Sequence, residues 1–96
     1  MLIHLDIAMM PQLSEALGRK SLDVDFEGEN VSDLIRHIAT RYGKKAQEAI
    51  FDGKGEVDPV IKVVLNSDQF IVREKFGSTA LRSGDKVKIM AFFAGG

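Results

Sequence analysis

The sequence predicts an α+β fold: a mixed β-sheet with one main helix packed across one face. Apolar and polar residues alternate at residues 2–7, 21–27, 60–66 and 86–91, the period of half-buried strands. Residues 31–42 instead repeat their apolar side chains at helical spacing. Turn-forming residues separate these stretches, in the order strand, strand, helix, strand, short strand, strand.

Taken in order, Ile3, Leu5 and Ile7 alternate with Leu2, His4 and Asp6 in a first strand. Residues 9–18 carry Pro11 and then Leu13, Ala16 and Leu17, which reads as a loop with a short helical turn stopped at Gly18. Leu22, Val24 and Phe26 alternate with Ser21, Asp23, Asp25 and Glu27 in a second strand. The main helix carries Val31, Leu34, Ile35, Ile38, Ala39 and Tyr42 as one apolar stripe, with Asn30 as N-cap, Asp33 three residues on, and Gly43 at its end. Residues 44–51 form a second short helix, broken by Asp52-Gly53-Lys54-Gly55. Asp58-Pro59 opens a third strand over residues 60–66, Asn66-Ser67-Asp68 turns the chain, and residues 70–72 form a short edge strand. Ser83-Gly84-Asp85 is a turn triplet before the last strand, where Val87, Ile89 and Ala91 alternate with Lys86, Lys88 and Met90. This is the order of the β-grasp, or ubiquitin-like, fold, with first and last strands parallel and central. Its core is expected to hold Ile3, Leu5, Ile7, Leu22, Val24, Phe26, Leu34, Ile35, Ile38, Ile61, Val63, Leu65, Val87 and Ile89.

Composition narrows the function. Ninety-six residues with 45% apolar content suit one small domain, residues 1–96, ending in a flexible tail at residues 92–96. No Cys is present, so a disulfide, a thiolate–metal site and a cysteine nucleophile are excluded. Thirteen basic and 14 acidic residues lie interspersed, which points to neither nucleic acid nor a membrane as partner. Met1-Leu2-Ile3-His4-Leu5-Asp6 lacks the basic region of a signal peptide, and no apolar run approaches the ~20 residues that span a bilayer. The cytoplasm is the expected location.

The tail is the most informative segment. Ala94-Gly95-Gly96 leaves an α-carboxylate on backbone with almost no side chains, thin enough to thread into another protein's active site. Together with Leu81, Gly84, Asp85 and Val87 these residues resemble the last strand and tail of the ubiquitin-like sulfur carriers, the MoaD/ThiS-like family. Arg41-Tyr42-Gly43, Ala49-Ile50-Phe51-Asp52 and residues 60–66 extend the resemblance toward MoaD, the small subunit of molybdopterin synthase. The segment between Gly43 and Asp58 favours that side over the shorter thiamine-pathway carriers. In place of the Phe-Phe-Pro-Pro-Val common in MoaD tails stands Ile89-Met90-Ala91-Phe92-Phe93, so both prolines are missing and a less stiff tail is expected.

The resemblance implies that the carboxyl group of Gly96 is adenylated and becomes a thiocarboxylate that donates sulfur in molybdenum or tungsten cofactor synthesis. It implies two partners: a ubiquitin-activating-type (MoeB/ThiF-like) adenylating enzyme, and the large subunit of molybdopterin synthase or another sulfur acceptor enzyme. ATP is consumed by the activating enzyme; no cofactor or metal is expected on this chain. By alternation Leu2, Val60, Val64, Met90 and Phe92 fall on the sheet face away from the helix, a candidate docking surface, with Phe93 as a tail anchor.

Other residues carry less. His4 and His37 lack metal-ligand spacing. Asp23, Asp25 and Glu27 share one face of an edge strand, where charges guard against sheet-to-sheet pairing. Gly53 and Gly55 lack the strand-to-helix context of a phosphate loop. Arg82, Lys86 and Lys88 lie where they would steer an acidic partner groove, and Arg41, Lys44 and Lys45 cluster at a helix end. Two rival readings stand beside the sulfur carrier: a ubiquitin-like modifier that joins Gly96 to target lysines, and a β-grasp binding module with an inert tail.

Overall fold

The alternating stretches at the two ends of the sequence become neighbouring strands in the computed structural model, which describes residues 1–92. β1 (Leu2–Asp6) runs parallel to β5 (Lys86–Ala91), pairing His4 with Lys86, Leu5 with Val87 and Asp6 with Lys88. β2 (Ser21–Asp25) pairs antiparallel with the free side of β1. β3 (Ile61–Leu65) pairs antiparallel with β5, and β4 (Gln69–Ile71) closes the far edge. The strand order is β2-β1-β5-β3-β4, the mixed five-stranded sheet of a β-grasp fold.

α2 (Val31–Tyr42) lays its apolar stripe against this sheet, and Val31, Leu34, Ile35, Ile38 and Ala39 are all buried. Its start is fixed by reciprocal capping. The Asn30 side-chain oxygen accepts from the Asp33 N–H (2.9 Å), and the Asp33 carboxylate accepts from the Glu29 N–H (2.8 Å). Gly43, at φ 82°, ends α2 and at once begins α3 (Lys44–Ile50). The Gln47 side-chain amide then donates back to the Ala39 carbonyl (3.2 Å), which ties the two helices together.

Every expected inward residue is buried except Leu22, which is half-buried on the edge strand. Two segments are better ordered than the sequence suggests. Residues 11–17 form a seven-residue helix, α1 (Pro11–Leu17), with Pro11 in the first turn and Gly18 in a left-handed C-cap (φ 72°). Burial of Leu13 and Met10 holds it in place, which helix propensity over so short a run does not register. Between β4 and β5 a 3-10 helix (Arg73–Ser78) inserts Phe76 into the core, and Leu81 follows it. This connection is pinned on the start of α2: Val31 donates to the Thr79 carbonyl (3.1 Å), Leu81 to that of Glu29 (2.9 Å), and the Asn30 amide to that of Gly77 (3.1 Å).

The two glycine turns are organised by carboxylates. In the 83–85 turn Gly84 takes φ 95°, and the Asp85 carboxylate accepts from the Arg82 N–H (2.8 Å) and the Asn66 side-chain amide (3.1 Å). In the 52–55 loop one oxygen of Asp52 accepts from the N–H groups of Lys54 (2.8 Å) and Glu56 (3.1 Å). The first of these bonds is the main reason that the Asp52 carboxyl titrates below its ordinary value of 3.8.

Two predictions follow from these contacts. Replacing Asn30 with Ala is expected to cost about 1 kcal/mol in denaturant unfolding, since it removes the cap of α2 and the tie to Gly77. Carboxyl NMR is expected to find Asp52 titrating below the ordinary range. Because the folded value is the lower one, its stabilisation is present above pH 3.8 and is lost as pH falls through the folded value; a raised value would contradict the loop geometry.

Candidate functional site

The outer face of the sheet is built by the same alternation that builds the core. Val87 and Ile89 turn inward, so Lys86, Lys88 and Met90 of β5 turn outward. Register then aligns Asp6, Lys88, Val64 and Phe70 in one row across β1, β5, β3 and β4, with Met90 opposite Lys62 beside it. A cleft of about 480 Å³ opens on this face, lined by His4, Asp6, Val64, Lys86, Lys88 and Met90.

The expected docking residues do not all meet there. Val64 and Met90 border the cleft, and Phe92, 49% exposed, lies just past the end of β5. Leu2 is exposed but sits at the other end of the sheet, where its carbonyl accepts from the Gly84 N–H (2.7 Å). Val60 is packed against the core and lines a different cleft with Met10, Ala49 and Ala91. It precedes β3 and lies in a turn, where alternation no longer sets the side-chain direction. Met90 faces outward yet is only 7% exposed. Its strand is central, so it has Lys62 on one flank and the β1–α1 connection on the other, where the Ala91 N–H bonds the Met9 carbonyl (3.2 Å). Phe93, Ala94, Gly95 and Gly96 lie outside the described residues.

Phe70 is the member that the sequence reading missed. It pairs with Val64 and is 53% exposed, and the signal was its alternation with Ile71, which is buried. The apolar strip therefore runs Met90, Val64, Phe70, with Val72 exposed beyond it.

Charge on the face is graded. Lys62, Lys86 and Lys88 lie on β3 and β5, whereas Asp23 and Asp25 lie on the edge strand β2. Asp23 and His4 Nδ1 share a 2.6 Å hydrogen bond, so one carboxylate of the edge strand is satisfied within its own sheet. Among the described residues no group of three or more His, Asp or Glu is placed to hold a metal ion. The N–H groups of Lys54 and Glu56 bond the Asp52 carboxylate and that of Gly55 bonds the Asp52 carbonyl, so none of these three is free to cradle a phosphate. No helix among the described residues is long and apolar enough to cross a membrane.

The sequence pattern of the ThiS family matches residues 9–96. No curated protein sequence matches significantly. Among solved structures, SAMP1 of Haloferax volcanii superposes with a TM-score of 0.76 at 21% identity, covering 100% of both chains. The HVO 2177 protein of Haloferax volcanii gives 0.73 at 28% identity, covering 100% of this chain and 87% of the other. CysO in the Amycolatopsis orientalis BexX/CysO complex gives 0.69 at 23% identity, covering 98% and 99%.

Burial separates the strip's members experimentally. Met90→Ala is expected to lower unfolding stability by about 2 kcal/mol. Phe70→Ala is expected to stay within about 0.5 kcal/mol of the unaltered chain. Equal losses in the two variants would mean that Phe70 is covered in solution.

Proposed function

Because the chain belongs to the ThiS family, we propose that it is a ubiquitin-like sulfur carrier whose Gly96 carboxylate is adenylated and converted to a thiocarboxylate for molybdopterin synthesis. The observation that carries this reading is the extent of the family match, which runs through Gly96 and so includes the diglycine. Four residues follow Phe92, and fully extended they span at most ~14 Å, enough to carry a carboxylate into a neighbouring active site.

The chemistry follows from the group itself. An α-carboxyl has a pKa near ~3.5, so at neutral pH it is an anion and a poor electrophile. Attack of a carboxylate oxygen on the α-phosphorus of ATP forms an acyl adenylate and releases pyrophosphate. A sulfide or persulfide sulfur then attacks the carbonyl carbon, and AMP leaves with the bonding electrons. With sulfide the product is the thiocarboxylate directly; with a persulfide it is an acyl disulfide, from which a thiol attacking the donor's sulfur releases the thiocarboxylate and leaves a disulfide on the donor. This chain's share is presentation, and ATP binds to a MoeB/ThiF-like partner. Met90, Val64 and Phe70 give the partner an apolar strip, and Lys86 and Lys88 favour an acidic surface around it.

The α3 segment supports the molybdopterin synthase small subunit over the shorter thiamine carriers. CysO, a neighbour by fold, is found in complex with BexX, which supports a docking role for this architecture. A second reading has its own support: SAMP1 is a small archaeal modifier protein. A modifier shares every step up to the adenylate, after which a lysine amine replaces sulfur as nucleophile.

The test is the intact mass of the chain after incubation with ATP, sulfide and its host's ubiquitin-activating-type enzyme. Exchange of one oxygen for sulfur is expected, and it should be absent when Gly96 is deleted. No exchange, with the enzyme active on another carrier, would overturn the reading. Branched Gly-Gly remnants on lysines in host digests would favour the modifier.

A further inference from the structure

Two bonds to β5 set the direction of the backbone along β3. The Phe92 N–H donates to the Val60 carbonyl (2.8 Å), and the Asn66 N–H to the Lys86 carbonyl (2.7 Å). Both continue the register that pairs Val64 with Lys88, so even-numbered residues of β3 bond β5 and odd-numbered ones bond β4. On β4, Gln69 and Ile71 lie opposite Leu65 and Val63 and take those bonds. Phe70, opposite Val64, therefore directs its N–H and C=O away from β3, at the open edge of the sheet. Among the described residues no backbone bond reaches Phe70 from outside the sheet.

The two edges of the sheet are guarded differently. Pairing two copies of β2 would set the carboxylates of Asp23 and Asp25 against each other. β4 has no charge from Gln69 to Val72, and its protection is its shortness alone. Phe70 and Val72 are exposed, and Ile71 between them is buried.

We propose that β4 pairs antiparallel with β4 of a second copy, centred on Phe70, and so joins two five-stranded sheets into one. At the centre each Phe70 N–H donates to the other Phe70 carbonyl, and the two rings lie side by side on the outer face. Gln69 then opposes Ile71 and Asp68 opposes Val72, so no like charges meet in the pair. This self-complementarity selects a second copy as the occupant. The assembly closes at two chains, because each β4 is then used and only the acidic β2 edges remain. The Met90–Val64–Phe70 strip continues across the two-fold axis into the same strip of the second copy. A partner on the outer face thus meets twice the apolar length that one chain offers. Three residues of strand bury far less than the ~1,200 Å² of a standard stable interface, so the dimer is transient.

The test is sedimentation of the whole chain at rising concentration, together with amide exchange by NMR. The average mass is expected to rise from one chain toward two. Exchange at the Phe70 amide should slow about twofold where half of the chains are paired. Phe70→Lys, which sets two cations against each other at the centre, should abolish both effects. A single-chain mass at millimolar concentration overturns the proposal, and so does a dimer that survives Phe70→Lys. A dimer that leaves Phe70 exchange unchanged would join faces rather than edges, and growth beyond two chains would join β4 to β2; either overturns it. No readout involves Gly96, so failure here is distinguishable from failure of sulfur exchange.

Discussion

The parallel pairing of β1 with β5 is the constraint on which the rest of the structure depends. Parallel neighbours cannot be joined by a tight turn, so everything from α1 to the 3-10 helix serves as the connection between them. The register of His4 with Lys86 places Val87 and Ile89 in the core and leaves Lys88 and Met90 outside. A slip by one residue would exchange those two sets and bury Lys88, and Lys86 with it. The same register sends the end of β5 beyond the last paired residue of β1, to the Met9 carbonyl and then to that of Val60. The path of the chain through Phe92 and the make-up of the outer face thus follow from one register.

Most of the fold was legible because it rests on period and punctuation. Alternation located β1, β2, β3 and β5, and the stripe from Val31 to Tyr42, bounded by Asn30 and Gly43, located α2. Legibility ended where tertiary contacts decide. The 3-10 helix has no length over which to show a period, and Phe76 is buried by what the segment packs against. On the outer face alternation placed Val64 correctly but failed at Val60, where the strand has not yet begun. It gave the side for Met90 but not its burial, which depends on neighbours that only the strand order supplies. Phe70 was read as part of an edge strand, and its exposure required the pairing with Val64.

The described body holds its charges at the surface. No polar or charged side chain among the described residues is buried, and no buried side-chain nitrogen or oxygen there lacks a partner. Asp52, whose carboxylate accepts two backbone N–H bonds, and Asp85, whose carboxylate accepts one, close turns. Such a scaffold presents its polar groups to a partner at the surface.

Strand order also has a consequence for synthesis. β5 is the middle strand of the sheet and the last of the five to leave the ribosome. Until it emerges, the β1–β2 hairpin and the β3–β4 hairpin share no strand, and α2 has no continuous surface to cover. At ~5–20 residues per second the incomplete halves persist for seconds with apolar faces open. Closure of the sheet therefore waits for β5, the strand that joins the two hairpins.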